Sequence, residues 1–216
     1  MEKKSKVVSK RLRKQLDELE RGKRYDEATQ LLEPIARRGN ADAQYEMGEL
    51  LYHKMVHEAE AAVRNYSKIE KAIFWLDLSR KPELCKADFS DFNKMINWYE
   101  KAAKQKHIKA MVELAEWYTP IRCGSSAKHV IKQSPFFTLK CNFNHALSLY
   151  IEALEIGGDD SFFDVCVIEN LLHSPHVPQK VKDKVVDILQ ARVKKGCCHA
   201  ADHLFRIWES KYRSPQ

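Results

Sequence analysis

Residues 91–118 carry two consecutive helical patterns that the rest of the chain repeats. Apolar side chains recur at steps of three and four residues from Phe92 to Ala103, and again from Ile108 to Tyr118. This is the period of an amphipathic helix with one buried face. Because only a few polar residues separate the two patterns, they are predicted to form an antiparallel helix pair.

The same double pattern occurs at three other places in the chain. The alignment offsets are 67, 51 and 39 residues, and they relate segments 25–53, 91–118, 143–173 and 181–208. Small residues fall in register, so that Ala36 matches Ala103 and Gly39 matches Gly157. Units of this kind bury a core only by stacking. The sequence therefore predicts a single all-α domain over 1–216, a right-handed α-solenoid of about four helix–turn–helix repeats.

The predicted solenoid has an N-terminal cap and two insertions. Residues 1–24 form the basic cap, with an amphipathic helix over 5–21 that ends at Gly22. An alternative role for this helix is a basic arm for an acidic partner or a membrane surface, which its mixed acidic content disfavours. Segments 54–90 and 119–141 interrupt the period as insertions. The first begins as a continuation of the preceding helix. In the second, Phe136, Phe137 and Leu139 either form an exposed apolar anchor or, as we favour, fold back onto the edge of the solenoid.

Composition and charge exclude several classes of protein. With 7 Gly and 7 Pro among 216 residues, a loop-rich β fold is disfavoured. No run of about 18 apolar residues or secretory signal is found, so we expect a cytoplasmic protein with six reduced cysteines. The net charge of +7 is divided into +6 over 1–24, −4 over 25–177 and +5 over 178–216. Basic residues at the ends, beside an acidic body, do not indicate a nucleic-acid groove.

No motif for catalysis or for a cofactor stands out. His199 and His203 are four residues apart beside Cys197 and Cys198, a spacing that can hold Zn²⁺, but a second ligand pair is missing and the repeat alignment makes both histidines surface residues. Cys123 and His129 could be a nucleophile and base, although nothing orients the histidine. The four tryptophans, at 75, 98, 117 and 208, are assigned to the core. We therefore predict a non-catalytic chain without metal or cofactor, with an enzyme using an inserted loop as a minor alternative.

Two repeated segments resemble a known family. ADAQYEMGELLY at 41–52 and IKAMVELAEWY at 108–118 resemble the A-x-x-x-L-G-x-x-Y helix of the Sel-one-like repeat family, a relative of the tetratricopeptide repeat. DFNKMINWYEKAA resembles the family's other helix, with Met95 in place of Ala, and so does KIEKAIFWLDLS at 68–79. The likeness covers roughly 25–210. It departs from the family where Cys166 and Phe205 replace a helix-packing Gly.

The resemblance implies a superhelical scaffold that binds another protein. Two roles are known among proteins that resemble this family. The first, which the short form of the chain favours, is a bacterial immunity protein that binds and neutralises a cognate toxin or effector. The alternative is an adaptor or regulatory scaffold in a larger assembly. Neither role involves nucleic acid or a membrane, and the oligomeric state stays open.

A binding stripe is predicted along the second helix of each pair. Residues two before and two after the Leu of the motif are nearly a full turn apart and so share one side of the helix. The predicted partner-binding residues are Tyr45, Glu49, Tyr52, His53, Val112, Glu116, Phe163, Val167, Asp202 and Arg206. Acidic and aromatic residues alternate along this stripe, which suits a partner with basic anchors. Two alternatives stay open: the apolar members could pack against neighbouring helices, or the insertions could form the interface.

Overall fold

The described part of the chain is entirely helical. The computed structural model describes residues 8–62, 91–119, 132, 139–157 and 177–212, and these contain eight helices and no strand. The all-α class predicted from the sequence is confirmed. In chain order the helices are α1 (Lys10–Arg21), α2 (Tyr25–Arg37), α3 (Ala41–Ala62), α4 (Phe92–Lys104), α5 (Ile108–Tyr118), α6 (Phe143–Ile156), α7 (Gln179–Lys194) and α8 (Cys198–Tyr212).

The chain divides into two compact units, residues 1–141 and 142–216. At the start of the first insertion, α3 continues as far as Ala62, as the sequence suggests. Several predicted features lie outside the described residues. They are the extra helix at 68–79, Phe136 and Phe137 of the apolar anchor, the pair Cys123 and His129, and the second helix of the third repeat.

The first unit contains two helix pairs, α2 with α3 and α4 with α5, whose buried positions match. Residues 67 apart are buried in both pairs because each occupies the same place on the apolar face of its helix. The matched buried positions are Ala28 and Met95, Leu32 and Tyr99, Ala36 and Ala103, Ala43 and Ala110, and Met47 and Leu114. The offset of 67 residues in the sequence alignment therefore also relates the buried residues of the two pairs.

The turn inside each pair uses one residue in the left-handed region. Gly39 has φ of 87° between α2 and α3, and Lys106, which is 67 residues further on, has φ of 64°. Glycine adopts this conformation without steric cost, whereas a lysine is strained there. The residue that follows caps the next helix in both pairs. The Asn40 side-chain oxygen accepts a hydrogen bond from the Ala43 amide at 2.8 Å, and His107 Nδ1 accepts one from the Ala110 amide at 3.2 Å.

Helix α1 lies against the first pair. Ser9 caps it by accepting a hydrogen bond from the Leu12 amide at 3.2 Å, and its Leu16 side chain is buried. Two ion pairs reach α3: Arg13 with Glu46, at 3.6 Å, and Glu20 with His53. The helix therefore contacts α3 with polar side chains in addition to burying its apolar residue.

The two pairs of the first unit meet where α3 packs on α4. Gly48 of α3 faces the ring of Tyr99, and a Cβ placed on residue 48 would lie 2.4 Å from Tyr99 Cε1. Only a residue without a side chain allows this approach. The Tyr99 hydroxyl then donates a hydrogen bond to Glu49 Oε1 at 2.6 Å. One fully buried tyrosine thus fixes both the spacing of the helices and their register.

Lys54 joins three helices on another side of the same contact. Its Nζ lies 2.8 Å from Asp26 of α2 and 3.4 Å from Asp91, which precedes α4. The hydrogen bond to Asp26 raises the pKa of Lys54 most strongly. Burial alone would raise the pKa of Asp91, but the hydrogen bond from Lys94 and the charge of Lys54 lower it overall. The lysine is therefore charged and bridges two carboxylates.

In the second unit, α7 and α8 form a pair through a turn like that of α4 and α5. Gly196, at φ of 89°, donates its amide to the Val193 carbonyl at 2.9 Å, and Cys197 donates to the Arg192 carbonyl at 3.1 Å. Lys106 and His107 make the same two bonds, at 2.8 and 3.2 Å, to carbonyls three and five residues back. Arg192 Nη2 also donates to the Leu154 carbonyl, at 2.6 Å, and so ties α7 to the end of α6.

Two residues of α8 differ from the sequence expectation. His203, which the repeat alignment made a surface residue, is buried, because it lies on the same face of the helix as the fully buried Ala200. Trp208, assigned to the core, is 58% exposed, whereas Trp98 and Trp117 are buried as predicted. Apolar residues cover more than one side of α8, and only the packing shows which side is buried.

Substitution of Gly48 tests the close approach of α3 and α4. We expect Gly48→Ala to lower the free energy of unfolding by about 1–3 kcal/mol, since the new methyl group overlaps a buried ring. Chemical denaturation followed by circular dichroism measures this. In a Tyr99→Ala background, which removes the Cδ1, Cε1 and Cζ atoms that the new methyl group would overlap, the same substitution should be neutral or slightly stabilising. An equal loss in both backgrounds would contradict the contact.

Candidate functional site

The predicted binding stripe of α3 lies against three other helices. Tyr45 stacks on His107 with ring centroids 4.8 Å apart, and Tyr52 meets the Trp117 ring edge-on at 6.1 Å. Glu49 accepts the hydrogen bond from Tyr99 of α4 described above. His53 forms its ion pair with Glu20 of α1. These four side chains are half-buried, and each has a partner within the fold, so part of their role is to hold the helices together.

The remaining predicted residues are divided between the two units. Val112 of α5 is buried, and Glu116 of α5 is half-buried, with its carbonyl accepting a hydrogen bond from Lys132. Asp202 and Arg206, in the second unit, form an exposed ion pair of 3.0 Å along α8. Phe163 and Val167 lie outside the described residues. The structure thus places Tyr45, Glu49, Tyr52 and His53 along α3, and Val112 and Glu116 along α5 of the same unit. The binding role of the stripe stays a prediction.

Carboxylates surround Tyr45 and Tyr99, whose ring centroids are 6.1 Å apart. Burial, followed by the charges of Glu49 and Glu113, raises the pKa of Tyr45 far above its usual range. The same causes raise the pKa of Tyr99. Burial also raises the pKa of Glu46, although Arg13 beside it acts in the opposite direction. Both phenols therefore remain protonated at physiological pH and act as hydrogen-bond donors in an acidic environment.

His107 caps α5 and has a lowered pKa. Its Nδ1 caps α5, its Nε2 lies 3.4 Å from Asp42, and its ring stacks on Tyr45. Burial lowers the pKa of His107; Asp42 partly offsets this, and Lys109 adds to the lowering. Capping needs the unprotonated Nδ1, because a protonated nitrogen cannot accept the Ala110 amide. The neutral ring is therefore the form that this site holds.

A groove opens between α2 and α4, with α3 as its floor. Its volume is about 860 Å³. The floor is contributed by Gln44, Met47 and Leu51, and the walls carry mostly polar side chains. The lining residues on the walls and rim are Asp26, Thr29, Glu33, Ala36, Arg37, Lys54, Asp91, Lys94, Asn97, Trp98 and Lys101. This is a concave surface formed by the first helix of each pair, whereas the sequence placed the binding stripe on the second.

The charges of the groove are mostly paired within the fold. Glu33 is paired with Arg37 at 2.7 Å, Lys94 with Asp91 at 2.7 Å, and Asp26 with Lys54. Lys101 differs, since it forms no ion pair with any described residue and its Nζ lies 4.3 Å above the Trp98 ring. The exposed amide of Asn97 is one turn before it on the same helix. The α4 wall therefore presents a cation positioned by an aromatic ring beside an amide.

Sequence reasoning missed this wall, although a signal for it is present. Lys94, Asn97 and Lys101 recur at three- and four-residue steps on α4, on the side away from its buried residues. Such a stripe is also what an ordinary solvated helix face looks like. Only the position of α2 opposite α4 turns the polar face into one wall of a groove.

A second cavity, of about 650 Å³, lies in the second unit. It is lined by the ends of α6 and α7 and by Cys197, Cys198 and His199. Among the described residues, no group of three His, Cys, Asp or Glu side chains is arranged to hold a metal ion. The Arg192 guanidinium at this cavity is bound to the Leu154 carbonyl. Cys197, Cys198 and His199 therefore line the cavity without forming a metal-binding arrangement.

Comparisons of the chain with protein-family models, with curated proteins and with solved structures find no match. None of the described helices has both the length and the apolar character that crossing a membrane requires.

Replacement of His107 by Asn tests the protonation balance at the cap. Because the folded state lowers the pKa of His107, the unfolded chain binds more protons, and stability is lost as the pH falls below the ordinary value of about 6.5. Asn keeps the cap, as Asn40 does in the first pair, but does not titrate. The free energy of unfolding is measured at pH 7.5 and pH 5, which are roughly one unit or more on either side of the ordinary histidine pKa. Between these two pH values, the parent should lose more stability than His107→Asn.

Two features make this comparison specific. The raised pKa of Glu46 acts on stability with the opposite sign, but it is common to both proteins and cancels in the difference. His107→Ala removes the cap as well, and it should cost about 1 kcal/mol even at pH 7.5. Parallel stability curves for the parent and His107→Asn would contradict a buried neutral histidine.

Proposed function

We propose that this chain is a non-catalytic protein-binding module and that a segment of its partner occupies the groove between α2 and α4. The observation that carries the proposal is Lys101, a cation without an ion pair among the described residues, held over the Trp98 ring at the edge of a concave surface. Clefts with a few positioned polar groups are where proteins bind ligands.

The proposed scaffold is a right-handed α-solenoid of about four Sel-one-like repeats. The matched burial at an offset of 67 supports it, and so does the left-handed turn residue, which recurs at Gly39, Lys106 and Gly196. The offset of 90 between the last two equals the sum of the two later alignment offsets in the sequence. Repeats of this kind stack into extended surfaces that bind other proteins.

The dimensions and charges of the groove suit a polypeptide segment. Lys94 and Lys101 are seven residues apart on α4, about 10 Å along the helix axis, which is the length of three extended residues or two helical turns. Asp26 and Glu33 have the same spacing on α2. A partner segment that places a carboxylate near Lys101 would form an ion pair beside an aromatic ring that excludes water.

Within this class, the role that we propose is neutralisation of a cognate toxin or effector in the cytoplasm of a bacterium. It rests on the resemblance to proteins that act in this way and on a binding groove that could cover an essential surface of the toxin. An adaptor in a larger assembly is the alternative, and it would use the same groove without abolishing the partner's activity.

Charge reversal in the groove tests the binding site. The partner is first identified by affinity capture at physiological salt and mass spectrometry, and its affinity is then measured by calorimetry. We expect Lys101→Glu to weaken binding by about 10-fold or more, because it places like charges together. Lys104→Glu is the matched control, since Lys104 is exposed on the same helix but does not line the groove. Both variants should keep the parent's melting temperature.

The same assay separates the groove from the stripe predicted along α3 and α5. Equal affinity for the parent and Lys101→Glu would remove the groove as the site. Tyr45→Ala and Glu116→Lys then measure the stripe, with folding followed in parallel because Tyr45 also packs on His107.

Co-expression tests the immunity role. The captured partner is expressed in bacteria alone, with the parent chain and with Lys101→Glu. We expect the partner alone to arrest growth, the parent to restore it, and the variant to restore it less. A partner that is harmless when expressed alone would assign the chain to the adaptor role.

A further inference from the structure

The most exposed aromatic surface of the described residues is on α8. Phe205 is 56% exposed and Trp208 is 58% exposed, and their rings stack with centroids 6.2 Å apart. Large apolar side chains at this exposure are unusual when they form a contiguous patch, and such patches mark interaction sites. The buried face of the same helix contains Ala200 and His203, so the aromatic pair is not part of the core.

The rest of the exposed face of α8 is small or charged. Ala201 is exposed one turn before Phe205, and Asp202 and Arg206 are exposed on the same side, with 3.0 Å between their charged groups. The face therefore contains a large ring, a small residue, a negative charge and a positive charge within two turns. The large ring is complementary in size to the small residue, and the negative charge is complementary to the positive one, so the face could pair with a copy of itself.

We propose that this face, defined as Ala201, Asp202, Phe205, Arg206 and Trp208, docks onto the same face of a second copy of the chain. In an antiparallel arrangement with a two-fold axis between residues 204 and 205, each Trp208 lies over the Ala201 of the second copy. Arg206 then faces Asp202 of the second copy, and the two Phe205 rings meet near the axis. The Trp208–Ala201 and Arg206–Asp202 contacts each occur twice, as two-fold symmetry requires, and the Phe205 contact across the axis occurs once.

Charge complementarity is what selects a second copy as the occupant. A helix face with one acidic and one basic residue four apart matches itself when it is reversed, because the reversal exchanges the two positions. The packing of a large ring over a small residue is matched by the same reversal. This surface is in the second unit and the groove is in the first, so the dimer does not depend on the proposed groove.

Sedimentation velocity of the full chain tests the dimer. We expect the weight-average sedimentation coefficient to rise from the monomer value towards the dimer value as the protein concentration increases from about 1 to 200 µM. This is the range in which an interface of one helix pair associates. Trp208→Glu should weaken the association by about 10-fold or more, since it replaces a large aromatic contact with a charge at both of its symmetry-related positions. Leu31→Glu is the control for adding a charge at an exposed apolar residue, and it should leave the association unchanged. A parent that stays monomeric over this range would overturn the proposal.

A charge exchange distinguishes the second copy from any other occupant. Asp202→Arg alone and Arg206→Asp alone should each weaken the association several-fold, because each faces like charges across the axis. The double variant restores opposite charges and should associate like the parent. The melting temperature of each variant, measured at about 1 µM protein, shows whether the substitution changes the stability of the monomer itself. A double variant that associates more weakly than either single variant would rule out the two-fold pairing.

Discussion

The contact between Gly48 and Tyr99 is the constraint on which the first unit depends. Without a side chain at residue 48, the Tyr99 ring lies directly against α3, and its hydroxyl reaches Glu49. The hydrogen bond fixes how far α4 can slide along α3, since a buried phenol without a partner would be costly. The positions of α2 and α5 follow, because each is joined to its neighbour by a short turn.

The same packing decides which polar groups are used within the fold. On one side of α3, Lys54 bridges Asp26 and Asp91 and brings α2 beside the start of α4. The groove exists because these two helices are held side by side over α3. On another side of α3, Tyr45, Glu49 and His53 contact α4, α5 and α1. The fold thus pairs the charges that join helices and leaves Lys101 at the groove with an aromatic ring as its neighbour.

The two proposed surfaces differ in chemistry, and the difference suits their partners. The groove is mainly polar, so a partner segment would be selected by charge, with an affinity that falls as salt increases. The face of α8 has two stacked rings, so its association would depend on apolar burial, with Asp202 and Arg206 setting the orientation. A chain that uses both could present two copies of the groove.

The sequence by itself determined the helices, the offset of 67 residues and the buried positions, because helical periodicity is local and needs no knowledge of neighbours. It also located the turns at Gly39 and Gly196. It gave no signal that Lys106 adopts the left-handed conformation, which the adjoining helices impose on an ordinary residue. Tertiary packing alone decided that His203 is buried, that Trp208 is exposed and that Lys101 faces a groove. Periodicity shows that a helix has an apolar face, but a wide face can be buried on either side, and only the neighbouring helix settles which side meets solvent.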